Sequence, residues 1–260
     1  MKRSIRALVA HEVRCDGLIL LRNRQSQFFT LALPVLFLVI FASVFSGDTV
    51  AVAGGRLKLS VYYVPGIIAL GIIAAAFVNL VISVTTARES GIYKRRRATP
   101  VPASVVIAGR AITALVAALA MAGVLLTIGW PAFGASMPGR TAPAFIVDIV
   151  VGALAFCCLG YAVASLIDDA DAAQPLTQAI MLPLYFISGV FLPASQIPGW
   201  LARIANVFPV RHLAQALLMA YNPHTSGAGF AWSDLGIVAL WGLAGLAVAL
   251  RRFSWLPRGR

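Results

Sequence analysis

The chain has 260 residues, of which 60% are hydrophobic and only 12% are charged. Soluble domains carry about 45–50% apolar and about 25% charged residues, so this composition excludes an ordinary soluble protein and predicts one membrane domain over residues 1–260. The net charge is +12, but the basic residues lie at the ends of apolar runs and are not interleaved with aromatic side chains. That pattern argues against nucleic acid as a partner.

The first predicted element is a helix over residues 4–21 that lies in the membrane interface. Its apolar positions fall on one arc at 100° per residue: Ile5, Leu8, Val9, Val13 and Leu20. Glu12 and Asp16 fall on the same arc, so a frayed cytoplasmic leader over residues 1–25 is the alternative. Charged residues also interrupt the long apolar run that a cleavable signal peptide needs, and we expect none.

Six segments approach the roughly 20 apolar residues that a helix needs to cross a bilayer. They cover residues 28–46, 64–86, 104–130, 144–167, 174–192 and 231–250. Residues 193–230, before the last span, are broken by prolines and carry Arg203 and Arg211, which makes a full crossing costly. We expect short helices there that lie in the outer interface or form a re-entrant hairpin.

The basic residues fix the predicted orientation. With six spans and both termini in the cytoplasm, most of the 21 basic residues lie on the inner side. The outer side then holds only Arg56, Lys58, Arg140, Arg203 and Arg211. This asymmetry is typical of multi-pass membrane proteins, and it favours an all-α protein with six spans and both termini in the cytoplasm.

Residues 87–102, ARESGIYKRRRATPVP, carry five basic residues between the uncharged stretches 61–87 and 111–139. Anchoring to lipid phosphate explains the charge, but it explains neither the acidic residue and glycine before the cluster nor the prolines after it. Pro100 and Pro102 end a short helix and restrict its exit. A short helix held at a fixed angle is suited to transmit force from a cytoplasmic partner.

Two segments carry a resemblance to a known family. Residues 87–110, ARESGIYKRRRATPVPASVVIAGR, resemble the cytoplasmic loop of type-2 ATP-binding-cassette exporter permeases, most closely the daunorubicin-resistance type of multidrug permease. Residues 188–217, SGVFLPASQIPGWLARIANVFPVRHLAQAL, are similar to that family's outer segment before the last span. The span count, the interfacial helix and the basic termini match as well, whereas Tyr93 replaces a smaller or aliphatic residue.

The resemblance implies one permease half of a homodimer or heterodimer, which docks a cytoplasmic ATPase through a coupling loop over residues 87–103. The implied ATPase-coupling residues are Glu89, Gly91, Lys94, Arg95, Arg96 and Arg97. No G-x-x-x-x-G-K-[ST] motif is present in the sequence, so the chain lacks the usual loop that cradles ATP phosphates. We therefore expect ATP and Mg²⁺ on the partner ATPase and no cofactor in this chain.

Other chemistry finds little support in the sequence. It contains neither H-E-x-x-H nor G-x-S-x-G, so we expect no enzyme. Cys157 and Cys158 are adjacent, which does not suit a zinc site, and are interpreted with Cys15 as free thiols. Asp148 is interpreted as an interfacial charge that can pair with Arg140.

Polar residues are few within the predicted spans. Those proposed to line a substrate route are Asn79, Ser83, Thr86, Thr177 and Gln178. Hydrogen bonds between helices of one subunit are the alternative. Small residues at helix-packing spacing, such as Ala114 and Ala118, serve either internal packing or a dimer interface.

The functional expectation is an ATP-driven exporter of amphipathic or hydrophobic compounds, such as drugs, lipids or lipid-linked molecules. The low charge of the spans disfavours a small, highly charged cargo. Export of polysaccharide or glycolipid by a permease of the same family stays open. A membrane scaffold or channel-like protein without ATPase coupling is the alternative from another class.

Overall fold

The computed structural model describes residues 5–92, 103–133 and 138–252, which fold mainly into helices. The α-helices are α1 (Ile5–Arg22), α2 (Arg24–Gln27), α3 (Leu33–Val44), α4 (Leu59–Ile73), α5 (Asn79–Glu89), α6 (Ala103–Phe133), α7 (Ala142–Ala164), α8 (Ala170–Ile187), α9 (Gly199–Ala205), α10 (Pro209–Tyr221) and α11 (Trp232–Arg252). Phe28–Ala32 and Ala74–Val78 are π-helical, and Ala194–Gln196 is a 3-10 turn. An antiparallel hairpin joins β1 (Thr49–Val52) and β2 (Gly55–Lys58).

Four stretches of the described chain are helices long and apolar enough to cross a membrane. They are Leu59–Glu89, Val105–Pro131, Ala142–Ala164 and Trp232–Arg252. They correspond to predicted spans two, three, four and six. Span one corresponds to the shorter apolar helix Thr30–Val44, and span five to α8, which contains Pro175 and Pro183. A mostly helical membrane protein is therefore confirmed, while the count of six spans stays a prediction.

The central element is the helix Leu59–Glu89, which joins α4, the π-helical turn and α5. Within its most apolar window, 83% of the residues are buried in the protein. A helix that is apolar all round is expected inside a bundle, and α3, α6, α7 and α10 surround this one. Its 31 residues make it about 46 Å long, at roughly 1.5 Å per residue, so it reaches both ends of the bundle.

The segment between spans five and six enters the bundle. Pro209 occupies the first turn of α10, where its missing N–H costs nothing. This helix packs against α4, α7 and α11, and Leu213 fills the space beside Gly152. The preceding α9 stays at the surface, with Trp200 64% exposed. The helix α10 is therefore packed inside the bundle and α9 lies on its surface, while a re-entrant path for residues 193–230 stays a prediction.

The helices approach closely where small residues meet. A Cβ atom at Gly242 would lie 2.8 Å from the Cα of Ala155, and one at Gly245 would lie 2.9 Å from the backbone nitrogen of Leu159. Ala118 on α6 is fully buried. These small residues serve packing within the chain, because they bring α11 onto α7 and α6 onto the central helix.

We predict that Gly242→Leu destabilises the protein by about 1–3 kcal/mol, because the new side chain meets backbone atoms that cannot move aside. Gly236→Leu is the matched control on the same helix, since a Cβ there meets nothing within 4 Å. The measurement is thermal unfolding of the purified protein in detergent. Equal melting temperatures for the two variants would contradict the packing described for α7 and α11.

Candidate functional site: the coupling end and an aromatic cavity

The α5 helix ends within the predicted coupling loop, and a glycine that the backbone requires follows it. Gly91 has φ +71°, the left-handed region that glycine adopts at little cost. A Cβ there would meet nothing within 4 Å, so conformation rather than space selects glycine. Ser90 closes the same turn with a hydrogen bond from Oγ to the Thr86 carbonyl (2.7 Å). The helix therefore stops at a defined point within the loop.

Two residues at the end of α5 hold the turn between α7 and α8. The buried Arg88 donates from its guanidinium to the carbonyl oxygen of Ile167, beyond the end of α7. Glu89 accepts the backbone N–H of Ala170, the first residue of α8, at 3.0 Å. We call Arg88 and Glu89 the α5 clamp. Each charge suits its position, because carbonyl groups are unsatisfied at the end of a helix and N–H groups at its start.

The α5 clamp gives the acidic residue of the loop motif a role that the sequence did not reveal. Glu89 was predicted to contact an ATPase, and its carboxylate is hydrogen-bonded to α8 of its own chain. From the sequence, Arg88 was interpreted only as one of the basic residues on the inner side. Its position directly before an isolated acidic residue could have pointed to its structural role. Lys94, Arg95, Arg96 and Arg97 lie outside the described residues.

A second polar cluster joins α1, α5 and α6 near the same end of the bundle. The Arg110 guanidinium lies 3.2 Å from the Asp16 carboxylate and also donates to the Ser83 hydroxyl. Glu12 lies against Gly109 on α6. We call Arg110, Asp16 and Ser83 the Arg110 cluster. The acids on the apolar arc of α1 therefore face α6, which explains why they interrupt an otherwise apolar stripe.

An apolar cavity of about 360 Å³ lies between α3, the central helix and α8. Its lining residues are Leu33, Phe37, Phe41, Leu70, Ala74, Val78, Gln174, Gln178, Leu182, Tyr185, Phe186 and Phe191. We call it the aromatic cavity. The ring of Phe191 packs against two other lining rings, with centroids 5.1 Å from Phe37 and 5.5 Å from Phe41, spacings typical of favourable aromatic pairs. Apolar walls with a few polar groups are typical of small-molecule sites.

The structure does not gather the five predicted route residues in one place. Gln178 lines the aromatic cavity, but Thr177 is buried and donates to the Ala173 carbonyl (2.8 Å). Asn79 donates to the hydroxyl of Thr30 and, with Ser83, lines a polar pocket of about 90 Å³ beside the Arg110 cluster. Thr86 is exposed. Neighbouring positions on a helix face directions about 100° apart, so sequence proximity alone does not place them on one wall.

The remaining titratable groups offer no metal centre within the described residues. No group of three or more His, Cys, Asp or Glu side chains among them is placed to hold an ion. Cys15, Cys157 and Cys158 are free thiols, as predicted. Asp148 is fully buried, so its interpretation as an interfacial charge was wrong. Its position on α7 faces the bundle interior, where Gly152 one turn later meets α10.

Comparison with known proteins adds a family match and several relatives. Residues 5–221 match the model of the family described as ABC-2 type transporter. The chain is 26% identical over 174 residues to proteins named "Probable multidrug ABC transporter permease YbhR" from Escherichia coli K12 and O157:H7, covering 67% of this chain and 47% of each relative. It is 28% identical over 213 residues to "Daunorubicin resistance ABC transporter permease protein DrrB1" of Streptomyces coeruleorubidus, covering 79% and 70%. The chain thus spans about half the length of the first two relatives.

We predict that Arg110→Met destabilises the protein by about 3 kcal/mol, because it leaves the buried Asp16 carboxylate without its cation. The double variant Asp16→Leu with Arg110→Met should be more stable than Arg110→Met alone, since no buried charge is then unpaired. Arg14→Met, at an exposed position of α1, is the control. Thermal unfolding in detergent measures all four proteins. A double variant less stable than Arg110→Met would contradict the pairing.

Proposed function

Because the chain belongs to the ABC-2 type transporter family, we propose that it is the membrane permease subunit of an ATP-driven exporter. A separate cytoplasmic ATPase binds residues 87–103, and Lys94, Arg95, Arg96 and Arg97 supply the basic contact surface. This chain carries no catalytic or cofactor-binding residue, so ATP and Mg²⁺ belong to the partner. A second permease half, identical or different, completes the transporter.

The observation that carries this proposal is the α5 clamp. It lies at the start of the coupling loop and holds both sides of the turn between α7 and α8. A push on the loop therefore reaches α7 and α8 at once, and the Arg110 cluster passes it to α1. The bond of Arg88 is buried, and charge-assisted hydrogen bonds are strong where water is scarce, so α5 and the turn between α7 and α8 move together. ATP binding by the partner would in this way change the tilt of several helices.

The chain crosses the bacterial plasma membrane six times, with both termini in the cytoplasm. The four long apolar helices support this arrangement, with Thr30–Val44 and α8 as the two shorter crossings. The distribution of basic residues places the α5 clamp on the inner side and the β-hairpin on the outer side. In this orientation α9 and α10 enter the membrane from outside and leave on the same side.

The cargo is an amphipathic or hydrophobic compound with aromatic groups. The aromatic cavity supports this, because five of its lining side chains are Phe or Tyr and two are Gln. Its volume of about 360 Å³ lies within the range of roughly 300–1,000 Å³ that drug-sized ligands occupy. The names of the relatives, which refer to multidrug transport and daunorubicin resistance, support the same class of cargo.

We predict that replacing Lys94, Arg95, Arg96 and Arg97 by Gln abolishes co-purification of the partner ATPase, because the charged surface that it binds is removed. Replacing the basic residues of the N-terminal segment by Gln is the matched control, applied to Arg6, Arg14, Arg22 and Arg24. The measurement is recovery of the ATPase with tagged permease from detergent extracts. Undiminished recovery with the loop variant would favour the alternative of an anchor without ATPase coupling.

We predict that Leu182→Trp lowers drug efflux several-fold without loss of the ATPase, because the larger ring fills part of the aromatic cavity. Leu176→Trp is the control, since it adds the same bulk at an exposed position of α8 that does not line the cavity. Efflux of a fluorescent aromatic drug from vesicles that contain both subunits measures the effect. Equal efflux by the two variants would exclude the aromatic cavity from the cargo route.

A further inference from the structure

A second cavity, of about 300 Å³, lies at the end of the bundle opposite the α5 clamp. Its roof is residues 50–53 of the β-hairpin, and its walls come from the start of α4, the residues after α8 and one face of α10. We call it the hairpin cavity. It shares no lining residue with the aromatic cavity, and the loop resemblance gives it no role.

The roof of the hairpin cavity is fastened to its walls. The Asn222 side chain donates to the Ala53 carbonyl (2.9 Å), and the Tyr62 hydroxyl donates to the Gly189 carbonyl (3.2 Å). At the hairpin turn, Gly54 has φ +86° and lies so close to His224 that a Cβ would approach its carbonyl oxygen to 3.0 Å. These contacts hold the cavity open in one shape, which favours binding because little ordering remains to be done.

The cavity wall contains a buried hydroxyl that lacks a partner. Ser188 is 2% exposed, lines the cavity, and its Oγ makes no hydrogen bond to any described residue. A buried polar group without a partner is unfavourable and uncommon. A molecule bound in the cavity would supply the missing hydrogen-bond partner of the Ser188 hydroxyl. Gln215 and Ser195 place further polar side chains on the same wall.

Among the described residues, the one charged side chain that lines the cavity is the carboxylate of Asp234. Its Oδ1 lies 2.6 Å from Nδ1 of His212, and Nε2 of that ring lies 2.8 Å from the Asn206 carbonyl oxygen. A carbonyl oxygen only accepts, so Nε2 carries a hydrogen and the ring is held in place. Oδ2 of Asp234 has no partner among the described residues and is left to bind another group.

The charged and titratable groups behind the wall come from α7, α10 and α11. Asp148, fully buried and with neither carboxylate oxygen hydrogen-bonded to a described residue, interacts electrostatically with Asp234. Arg211, on α10, is buried and interacts with Tyr62, but it does not line the cavity. Asp234 is therefore the charged group, among the described residues, that a bound cation would contact directly.

We propose that the hairpin cavity binds a protonated amine on a small amphipathic molecule. The ammonium group binds Asp234, a hydroxyl or carbonyl of the molecule pairs with Ser188, and the apolar part packs on Val50, Tyr62 and Leu218. If the exporter function holds, this is a site on the outer side for cargo that carries an amine. The assignment to cargo rests on the proposed function, whereas the binding itself needs no ATPase.

The test is equilibrium binding of two dansyl sulfonamides of equal length to the purified full-length chain in detergent. One ends in a propylammonium group and the other in a hydroxypropyl group, so only the charge differs. We expect the ammonium probe to bind about tenfold more tightly, which corresponds to about 1.4 kcal/mol. Asp234→Asn should abolish this preference, and Asp48→Asn, which removes an exposed acid outside the cavity, should retain it.

A second variant keeps every charge and fills the space. Gln215→Trp should weaken binding of both probes, whereas Leu182→Trp in the aromatic cavity should not. Equal affinities of the two probes for the native chain, or a preference that persists in Asp234→Asn, would overturn the proposal. So would probe binding that Leu182→Trp abolishes and Gln215→Trp leaves intact. A chain that binds the probes as expected but shows no ATP-driven efflux would refute the proposed function alone.

Discussion

The burial of the helix Leu59–Glu89 inside the bundle is the constraint on which the rest of the structure depends. Because α3, α6, α7 and α10 pack around it, it cannot shift without moving its neighbours. Packed interiors are dense and transmit displacement rather than absorb it. The α5 clamp at its C-terminal end is therefore coupled to every helix that touches it, although few polar contacts join those helices directly.

Polar interactions are concentrated at the two ends of the bundle. The α5 clamp and the Arg110 cluster lie at one end, while the pair of His212 and Asp234 lies at the other. The region between them is apolar and holds the aromatic cavity. A low dielectric strengthens each polar contact but also penalises any group left without a partner. The ends therefore favour a few discrete arrangements, and in the proposed exporter the apolar middle would adapt to cargo of varied shape.

Hydropathy was sufficient to predict the helices, because a lipid-facing or fully buried helix needs a long apolar run. It was insufficient where the outcome depended on which helices touch. Asp16 weakened the prediction of an interfacial α1 helix, because its partner Arg110 lies on α6, far along the chain. Asp148 was interpreted as interfacial, because the sequence does not reveal how deeply a side chain is buried in a bundle. Glu89 was recognised as unusual, but its bond to Ala170, 81 residues away, leaves no local pattern. The β-hairpin was not predicted at all, since its strands have only four residues each.

The same buried helix forms part of every site described above. Tyr62 and Gly66 line the hairpin cavity, Ala74 and Val78 line the aromatic cavity, and Glu89 belongs to the α5 clamp. The π-helical turn Ala74–Val78 lies beside the aromatic cavity, and such turns are frequent at functional sites because they break the regular hydrogen-bond pattern. A displacement that begins at the clamp would change both cavities together. In the proposed exporter, coupling between an ATPase on one side and cargo release on the other would need no separate relay, because one continuous helix borders the clamp and both cavities.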